Sequence, residues 1–142
     1  MDVTADLEAP HPPARVFEVV ADLATYPRWL DIVARAEPDG DAWSVDLRGR
    51  LGPFARSKRL RMVRTAADEP THARFERAEL DGRSHSAWVL DATVAPDGGG
   101  SRLTMKLHYG GGLWMPVLER LLRDEIERSR ARLLDVLSDA DG

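Results

Sequence analysis

VTADLEAPHPPARVFEVVADLATYPRWL, residues 3–30, passes from a strand pattern to a helical pattern within a few residues. Apolar and polar residues alternate from residue 2 to residue 8, which predicts a half-buried strand. The break His11–Pro13 ends this strand and places a proline in the first turn of a predicted helix, where a missing N–H is tolerated. Thr25 is a candidate N-cap for a second short helix with Pro27 in its first turn. The segment therefore predicts one strand followed by two short helices.

Turn signals rich in glycine and proline recur at short intervals from residue 34 to residue 110. Segments of alternating polarity lie between them, which is typical of antiparallel strands with one buried and one solvated face. The alternating segments are Trp43–Leu47, Leu60–Met62, Ala73–Phe75, Trp88–Val94 and Leu103–Tyr109. Residues 34–38 add a further short strand with little pattern of its own. With the first strand, this makes a sheet of six to seven strands.

The apolar residues return to helical spacing from Trp114 to Leu137, the longest element of the chain. A sheet with one apolar face needs a cover, and this helix is long and apolar enough to supply it. The order of elements therefore predicts an α+β fold in one domain spanning residues 1–142, with residues 139–142 frayed.

Composition excludes several classes of function. The 142 residues carry a formal charge of -4 and contain no cysteine, so a disulfide, a thiolate nucleophile and a thiolate metal site are all excluded. The four histidines show no metal-ligand spacing, and we expect neither a metal nor a required cofactor. The opening MDVTADLEAP lacks a signal-peptide pattern, and no apolar run approaches the roughly 18 residues of a membrane span. A cytoplasmic protein is expected.

The opening segment resembles the START-like, Bet v 1-like (SRPBCC) superfamily, in particular its polyketide cyclase/dehydrase and lipid-transport branch. In that branch a proline-containing break precedes a helix that ends in an aspartate, and a Tyr-Pro-x-Trp segment starts the second helix. The matching positions here are Pro10–Pro13, Asp22, Tyr26, Pro27 and Trp29. The resemblance implies a helix-grip fold, a curved antiparallel sheet wrapped around the long C-terminal helix. It also implies an apolar cavity that opens near the short helices and suits a lipid, a sterol, a polyketide or another aromatic molecule.

Two polar residues interrupt the apolar stripe of the long helix. At about 100° per residue, Glu125 and Ser129 fall within about 20° of Leu118, on the side that also carries Leu122. An inward carboxylate lines a wet cavity, pairs with a buried cation or is protonated, because an unpaired buried charge is costly. The alternative is that Glu125 pairs with an arginine of the sheet or that the helix rotates to release it.

The hairpin 48–64 contains seven cationic residues and no acid. Alternation predicts that Arg59 points outward, whereas Ser57-x-Arg59 is similar to a Ser-x-Arg of aromatase/cyclases, whose arginine faces the cavity and polarises substrate oxygen. A β-bulge would reconcile the two by reversing the register. Without it, Arg56 and Lys58 face inward. A solvated strand balanced by acids elsewhere is the alternative explanation of the basic hairpin.

The candidate functional residues are those expected to lie at the predicted cavity. The catalytic candidates are Arg59, Arg77 and Glu125. The candidates for ligand contact are Tyr26, Trp29, Trp43, Phe75, Trp88, Tyr109, Leu118, Leu122, Glu125 and Ser129.

Three functions are consistent with the sequence. The first is binding or transport of a hydrophobic or aromatic small molecule in an internal cavity. The second is a polyketide aromatase/cyclase-like or dehydratase-like enzyme. The third is a protein-interaction module whose basic hairpin docks an acidic protein or a carrier domain. Nucleic acid is not an expected partner, since no base-stacking motif accompanies the basic run. A monomer and a homodimer both remain open, as does the identity of the ligand.

Overall fold

A curved sheet closed by one long helix forms most of the molecule. The computed structural model describes residues 2–51, 54–110 and 115–139, leaving aside the side chains of residues 49–51, 54–57 and 115–118. The strands are β1 (Asp2–Ala9), β2 (Val33–Asp39), β3 (Ala42–Leu51), β4 (Phe54–Asp68), β5 (His72–Arg77), β6 (Trp88–Asp97) and β7 (Gly100–Tyr109). The helices are α1 (Pro13–Val20), a 3₁₀ helix (Leu23–Arg28) and α2 (Met115–Ser138).

The seven strands of the described chain form one antiparallel sheet in the order β1-β7-β6-β5-β4-β3-β2. Every strand from β2 to β7 pairs with its neighbour in sequence, and β1 joins the far edge beside β7. The α+β helix-grip prediction is confirmed, and the weakly patterned segment 34–38 belongs to the edge strand β2.

Cross-strand register identifies the face of the sheet that carries the core. Phe75 lies opposite Leu90, which lies opposite Leu107, which in turn lies opposite Val3. Partners in an antiparallel ladder point to the same face, so these four side chains form one apolar row on one face of the sheet.

The two short helices follow β1 as predicted, but the cap of the second one differs from the prediction. The 3₁₀ helix starts at Leu23, and the carboxylate of Asp22 accepts a hydrogen bond of 3.0 Å from the Ala24 N–H. Thr25 is therefore not the N-cap. Asp22 has an extended backbone, which places its side chain over the first turn. The Thr25 hydroxyl instead donates to the Val19 carbonyl at 2.7 Å.

Arginine side chains fix the position of α2. The Arg15 guanidinium of α1 donates to the carbonyls of Leu137 and Val136 at 3.2 and 3.1 Å. These carbonyls belong to the last turn of α2, where the Val136 carbonyl also accepts from the Asp139 N–H at 3.2 Å, and a cation there complements the helix dipole. Nearer the middle of the helix, Arg130 donates to the carbonyl oxygen of Asp6 in β1.

Candidate ligand-binding cavity

A cavity of about 130 Å³ lies between the concave face of the sheet and α2. Its walls come from the sheet, from the 3₁₀ helix with the segment that follows it, and from α2. The lining side chains that carry the argument are Tyr26, Trp29, Leu60, Met62, Trp88, Leu122, Glu125, Ile126 and Ser129. Most of the others are aliphatic, including Leu30, Leu90, Leu103 and Leu107.

Tyr26 and Trp29 form the wall beside the short helices. Their rings pack at a centroid distance of 4.5 Å. The Tyr26 hydroxyl donates to the Val20 carbonyl at 2.7 Å, so its donor already has a partner in the protein. Burial, followed by the nearby charge of Asp22, raises the pKa of the Tyr26 phenol, which stays neutral at physiological pH.

Trp88 lines the cavity from β6. Its ring packs on Tyr109 at a centroid distance of 4.7 Å, and Tyr109 itself is half-buried and lies outside the lining. The indole Nε1 atoms of Trp29 and Trp88 are buried and have no hydrogen-bond partner among the described residues. A buried donor is normally paired, so these two N–H groups are candidates for contact with a bound molecule.

The α2 side of the cavity is apolar except for the two polar residues of its stripe. Glu125 retains 14% of its side-chain exposure, and its Oε2 accepts from Arg128 at 3.0 Å on the same helix. Its Oε1 is buried without a partner in the described part of the chain. The Ser129 hydroxyl donates to the Ile126 carbonyl at 2.7 Å. Among the side chains that the structure describes, Glu125 therefore pairs with a helix arginine and not with an arginine of the sheet.

Trp43 and Phe75 share the concave face but lie beyond the cavity. Phe75 is fully buried and packs edge-to-face on Tyr26 at 6.4 Å and on Trp43 at 5.6 Å. The guanidinium of Arg64 lies 5.9 Å from the Trp43 ring centroid and donates to the Ala21 carbonyl. These two aromatic residues support the short helices, and neither lines the cavity.

The structure places Arg59 outside the cavity, contrary to what the Ser-x-Arg resemblance implied. Its guanidinium pairs with Asp46 at 2.7 Å on the exposed face of the sheet, and the hydrogen bond from Arg59 lowers the pKa of the Asp46 carboxyl. The reason is register, because β3 and β4 pair without a bulge from Ala42↔Val63 to Leu51↔Phe54. The irregularity in β4 instead lies between Arg64 and Ala66, opposite β5.

Lys58 takes the concave side instead, near a second pair of charges. It lies opposite Leu47, a residue of the cavity wall. Burial, followed by the charge of Arg77, lowers the pKa of the Lys58 ammonium. The Arg77 side chain is 8% exposed, and its Nε donates to Glu79 at 2.8 Å. Neither Arg77 nor Lys58 reaches the lining.

Glu79, two residues after Arg77, is its ion-pair partner. Its Oε2 also accepts from the Arg61 backbone N–H at 3.2 Å. Partial burial raises the pKa of Glu79, but the hydrogen bonds from Arg77 and Arg61 and the charge of Arg77 outweigh it, so the net shift is downward. A further contact joins Arg77 to His85 Nδ1 at 3.3 Å. The Arg77 guanidinium is thus already bound by other groups of the protein.

Sequence reasoning missed several lining residues. Leu30 and Ile32 follow the 3₁₀ helix, where neither helical nor strand spacing applies, although their apolar character was a signal. Arg130 also lines the cavity, as does Asp6, which its guanidinium contacts. The predicted contact residue Leu118 and the inward cation Arg56 have side chains outside the described set.

Two further properties bear on the chemistry of the site. Within residues 2–51, 54–110 and 115–139, no group of three or more His, Asp or Glu side chains is arranged to hold a metal ion. In the same residues, no helix is long and apolar enough to cross a membrane.

A curved antiparallel sheet, a long C-terminal helix and an apolar cavity between them define a helix-grip domain. The chain belongs to the family described as polyketide cyclase/dehydrase and lipid transport, which matches residues 1–137. No curated protein matches the chain.

Solved structures share the fold at low identity. A conserved protein from Geobacillus kaustophilus has a TM-score of 0.77 at 13% identity, with 99% of this chain and 97% of that chain covered. A START superfamily protein from Mycobacterium smegmatis has a TM-score of 0.72 at 14% identity, with 97% of each chain covered. A protein from Thermus thermophilus has a TM-score of 0.67 at 20% identity, covering 98% of this chain and 95% of that chain. At these identities the likeness concerns the fold alone.

Proposed function

We propose that the protein binds or carries a small hydrophobic molecule, about the size of one substituted aromatic ring, in the cavity beneath α2. The volume of about 130 Å³ supports this size. An engineered apolar cavity of roughly 150 Å³ holds a benzene molecule, whereas drug-sized ligands occupy roughly 300 Å³ or more. A sterol or a fused polyketide would require the walls to move apart.

The observation that carries the proposal is a partly open cavity lined almost wholly by apolar side chains. Apolar walls that meet no partner atoms lack dispersion contacts that a bound apolar group can supply. Trp29 and Trp88 lie on different elements and both face it. A bound ring would contact both indoles and recover the missing dispersion energy.

Binding without catalysis is better supported than a cyclase or dehydratase reaction. That reaction needs an inward arginine near an acid or a phenol. Arg59 pairs with Asp46 on the exposed face, and Arg77 is held by Glu79. The Tyr26 phenol already donates to the backbone. The catalytic candidates on the sheet are therefore directed at protein groups.

A docking role for the basic hairpin also has less support than ligand binding. Its described arginines are largely engaged within the molecule. Arg59 pairs with Asp46, Arg61 donates to the Ala78 carbonyl and Arg64 donates to the Ala21 carbonyl. An acidic partner would have to compete with these contacts.

Titration of the ¹⁵N-labelled protein with toluene tests the proposal. We expect saturable shifts of the Trp29 and Trp88 indole N–H signals, because a ring in the cavity alters the magnetic environment of both. Because toluene would bind only the folded state, tenfold excess over Kd should add about 1.4 kcal/mol to the free energy of unfolding.

A cavity-filling variant provides the control. In Ser129→Phe the new ring points into the cavity and should weaken toluene binding at least tenfold while the protein stays folded. Ser138→Phe adds the same ring to an exposed position of α2 and should bind toluene as the wild type does. Absence of saturable shifts in the wild type, or equal toluene affinity in Ser129→Phe, would contradict the proposal.

A further inference from the structure

Three buried polar atoms of the cavity-lining residues have neither a hydrogen bond nor an ion pair among the described residues. They are Nε1 of Trp29, Nε1 of Trp88 and Oε1 of Glu125. The two tryptophans are 3% and 8% exposed, so solvent does not readily satisfy their N–H groups. Buried polar groups are normally hydrogen-bonded, and an unpaired one is costly. Unpaired atoms at one cavity are therefore candidates for the polar contacts of its ligand.

We infer that the ligand carries a hydroxyl group, as in a phenol or a small aryl alcohol, and that Glu125 accepts its hydrogen bond. This inference rests on the proposed function and specifies the ligand class for the same cavity.

Glu125 requires a hydrogen-bond donor on the ligand. Arg128 donates to Glu125 Oε2 at 3.0 Å, so the two side chains form an ion pair. An ionised carboxylate only accepts hydrogen bonds, so the ligand group that meets Oε1 must donate. Ser129, one turn further along α2, directs its own donor to the Ile126 carbonyl and leaves only acceptor capacity toward the cavity.

The tryptophans set the requirement for an acceptor, because an indole N–H only donates. A ligand that meets both Glu125 and an indole must therefore donate and accept. A hydroxyl group does both with a single heavy atom, which suits a cavity of about 130 Å³. A hydrocarbon would leave all three atoms unpaired, and a primary ammonium group would offer no acceptor.

Arg130 is a cation of the lining and the group that would favour an anionic ligand instead. Its Nη1 donates to the carbonyl oxygen of Asp6, and its Nε, which has no hydrogen bond among the described residues, lies 3.2 Å from the Glu127 carboxylate. A ligand carboxylate would compete with Glu127 for Arg130 and would be repelled by Glu125. These contacts favour a neutral hydroxyl over a carboxylate.

Three ligands of matched shape test the inference at pH 7, with affinities measured by calorimetry or by NMR titration. They are toluene, p-cresol and 4-methylbenzoate, which share a ring and a methyl group. We expect the wild type to bind p-cresol at least tenfold more tightly than toluene and to bind 4-methylbenzoate least. In the wild type, p-cresol should also move an indole N–H signal downfield in a way that toluene does not.

Glu125→Leu should reduce the preference for p-cresol over toluene to less than about threefold. The matched control is Glu119→Leu, which removes another carboxylate of α2 that pairs with an arginine, Arg123, but lies outside the cavity. This control should keep the wild-type preference.

The outcomes separate the two proposals. If toluene saturates the wild type but p-cresol binds no more tightly, the hydroxyl inference is overturned and the binding function stands. If Glu125→Leu keeps the preference, or if 4-methylbenzoate binds best, the role of Glu125 is overturned. If none of the three ligands binds, the proposed function fails together with the inference. The indole signal in the wild type tests the hydroxyl contact even if Glu125→Leu does not fold.

Discussion

Glu79→Gln removes the negative charge from the most enclosed of the ion pairs between described side chains. Glu79 Oε2 accepts from Arg77 Nε at 2.8 Å and from the Arg61 backbone N–H at 3.2 Å. The side chains of Arg77 and Glu79 are only 8% and 19% exposed. The variant keeps an acceptor of similar shape but leaves the Arg77 charge without its counter-ion.

The expected loss lies between two known limits. Exposed ion pairs contribute about 0–1 kcal/mol, and breaking a fully buried pair costs about 3–5 kcal/mol. The exposures of Arg77 and Glu79 place this pair between those limits, and a hydrogen bond to a charged group contributes about 1.5–3 kcal/mol. We therefore expect Glu79→Gln to lower the free energy of unfolding by about 2 kcal/mol at pH 7. The matched control, Glu37→Gln, breaks a pair with Arg35 in which both side chains are more than 60% exposed, and should cost less than about 0.5 kcal/mol.

The pH dependence gives this prediction a second, independent test. The pKa of Glu79 is lowered from its ordinary value of 4.5, so the folded state favours the ionised carboxylate. The contribution of the carboxylate is therefore fully present above pH 4.5 and is lost as the pH falls through the lower, folded-state pKa. Urea denaturation followed by tryptophan fluorescence at pH 7, 5 and 3 measures it. The difference between wild type and Glu79→Gln should be similar at pH 7 and 5 and smaller at pH 3. A difference that is independent of pH, or no larger than that of Glu37→Gln, would refute the reasoning.

Two further predictions concern the frame around the cavity. A Cβ at Gly100 would lie 2.3 Å from the Ala9 carbonyl oxygen, so Gly100→Ala should push β1 from β7 and cost about 1–3 kcal/mol in urea denaturation. Gly99→Ala meets open space and should change stability by less than about 0.5 kcal/mol, so equal effects at the two glycines would contradict the steric argument. Arg15→Met removes the side-chain donors to the last carbonyls of α2 and should cost about 1–2 kcal/mol by the same measurement, with partial recovery in Arg15→Lys. An unchanged midpoint for Arg15→Met would show that solvent satisfies those carbonyls equally well.

Alternating polarity predicted most of the fold, because a strand with one buried face has an apolar residue at every second position. The weakest prediction, residues 34–38, falls on a strand in which this alternation is absent. β2 is an edge strand, and only Val33 and Ala36 of its seven residues are buried. A strand that buries so little carries no regular alternation, and its pairing with β3 depends on tertiary structure. The N-cap of the 3₁₀ helix is also not decided by the sequence alone. Asp22 and Thr25 are both acceptable cap residues, and the backbone conformation determines which of them caps the helix.

Alternation in the sequence indicates on which face of the sheet a side chain lies, but not where on that face it lies. Trp43 and Phe75 are on the concave face as predicted, yet they pack where the 3₁₀ helix meets the sheet and not around the cavity. For Arg59, strict alternation gave the correct face, and the resemblance to a Ser-x-Arg motif did not. Three residues do not specify a register, which is set by the uninterrupted pairing of β3 with β4.

The stability of the Glu125→Leu variant tests whether Glu125 serves folding or ligand binding. Arg128, its ion-pair partner, is 57% exposed and would remain solvated if the carboxylate were removed. Replacing a largely buried carboxylate by an apolar side chain of similar size removes a desolvation cost without stranding a buried charge. Glu125→Leu should therefore leave the free energy of unfolding unchanged or raise it by up to about 1 kcal/mol. A loss of more than about 1 kcal/mol in urea denaturation would instead assign the Glu125–Arg128 pair a structural role. Natural proteins retain such locally unfavourable residues mainly where function requires them, so a stable Glu125→Leu variant with altered ligand preference would place Glu125 at the site of ligand recognition.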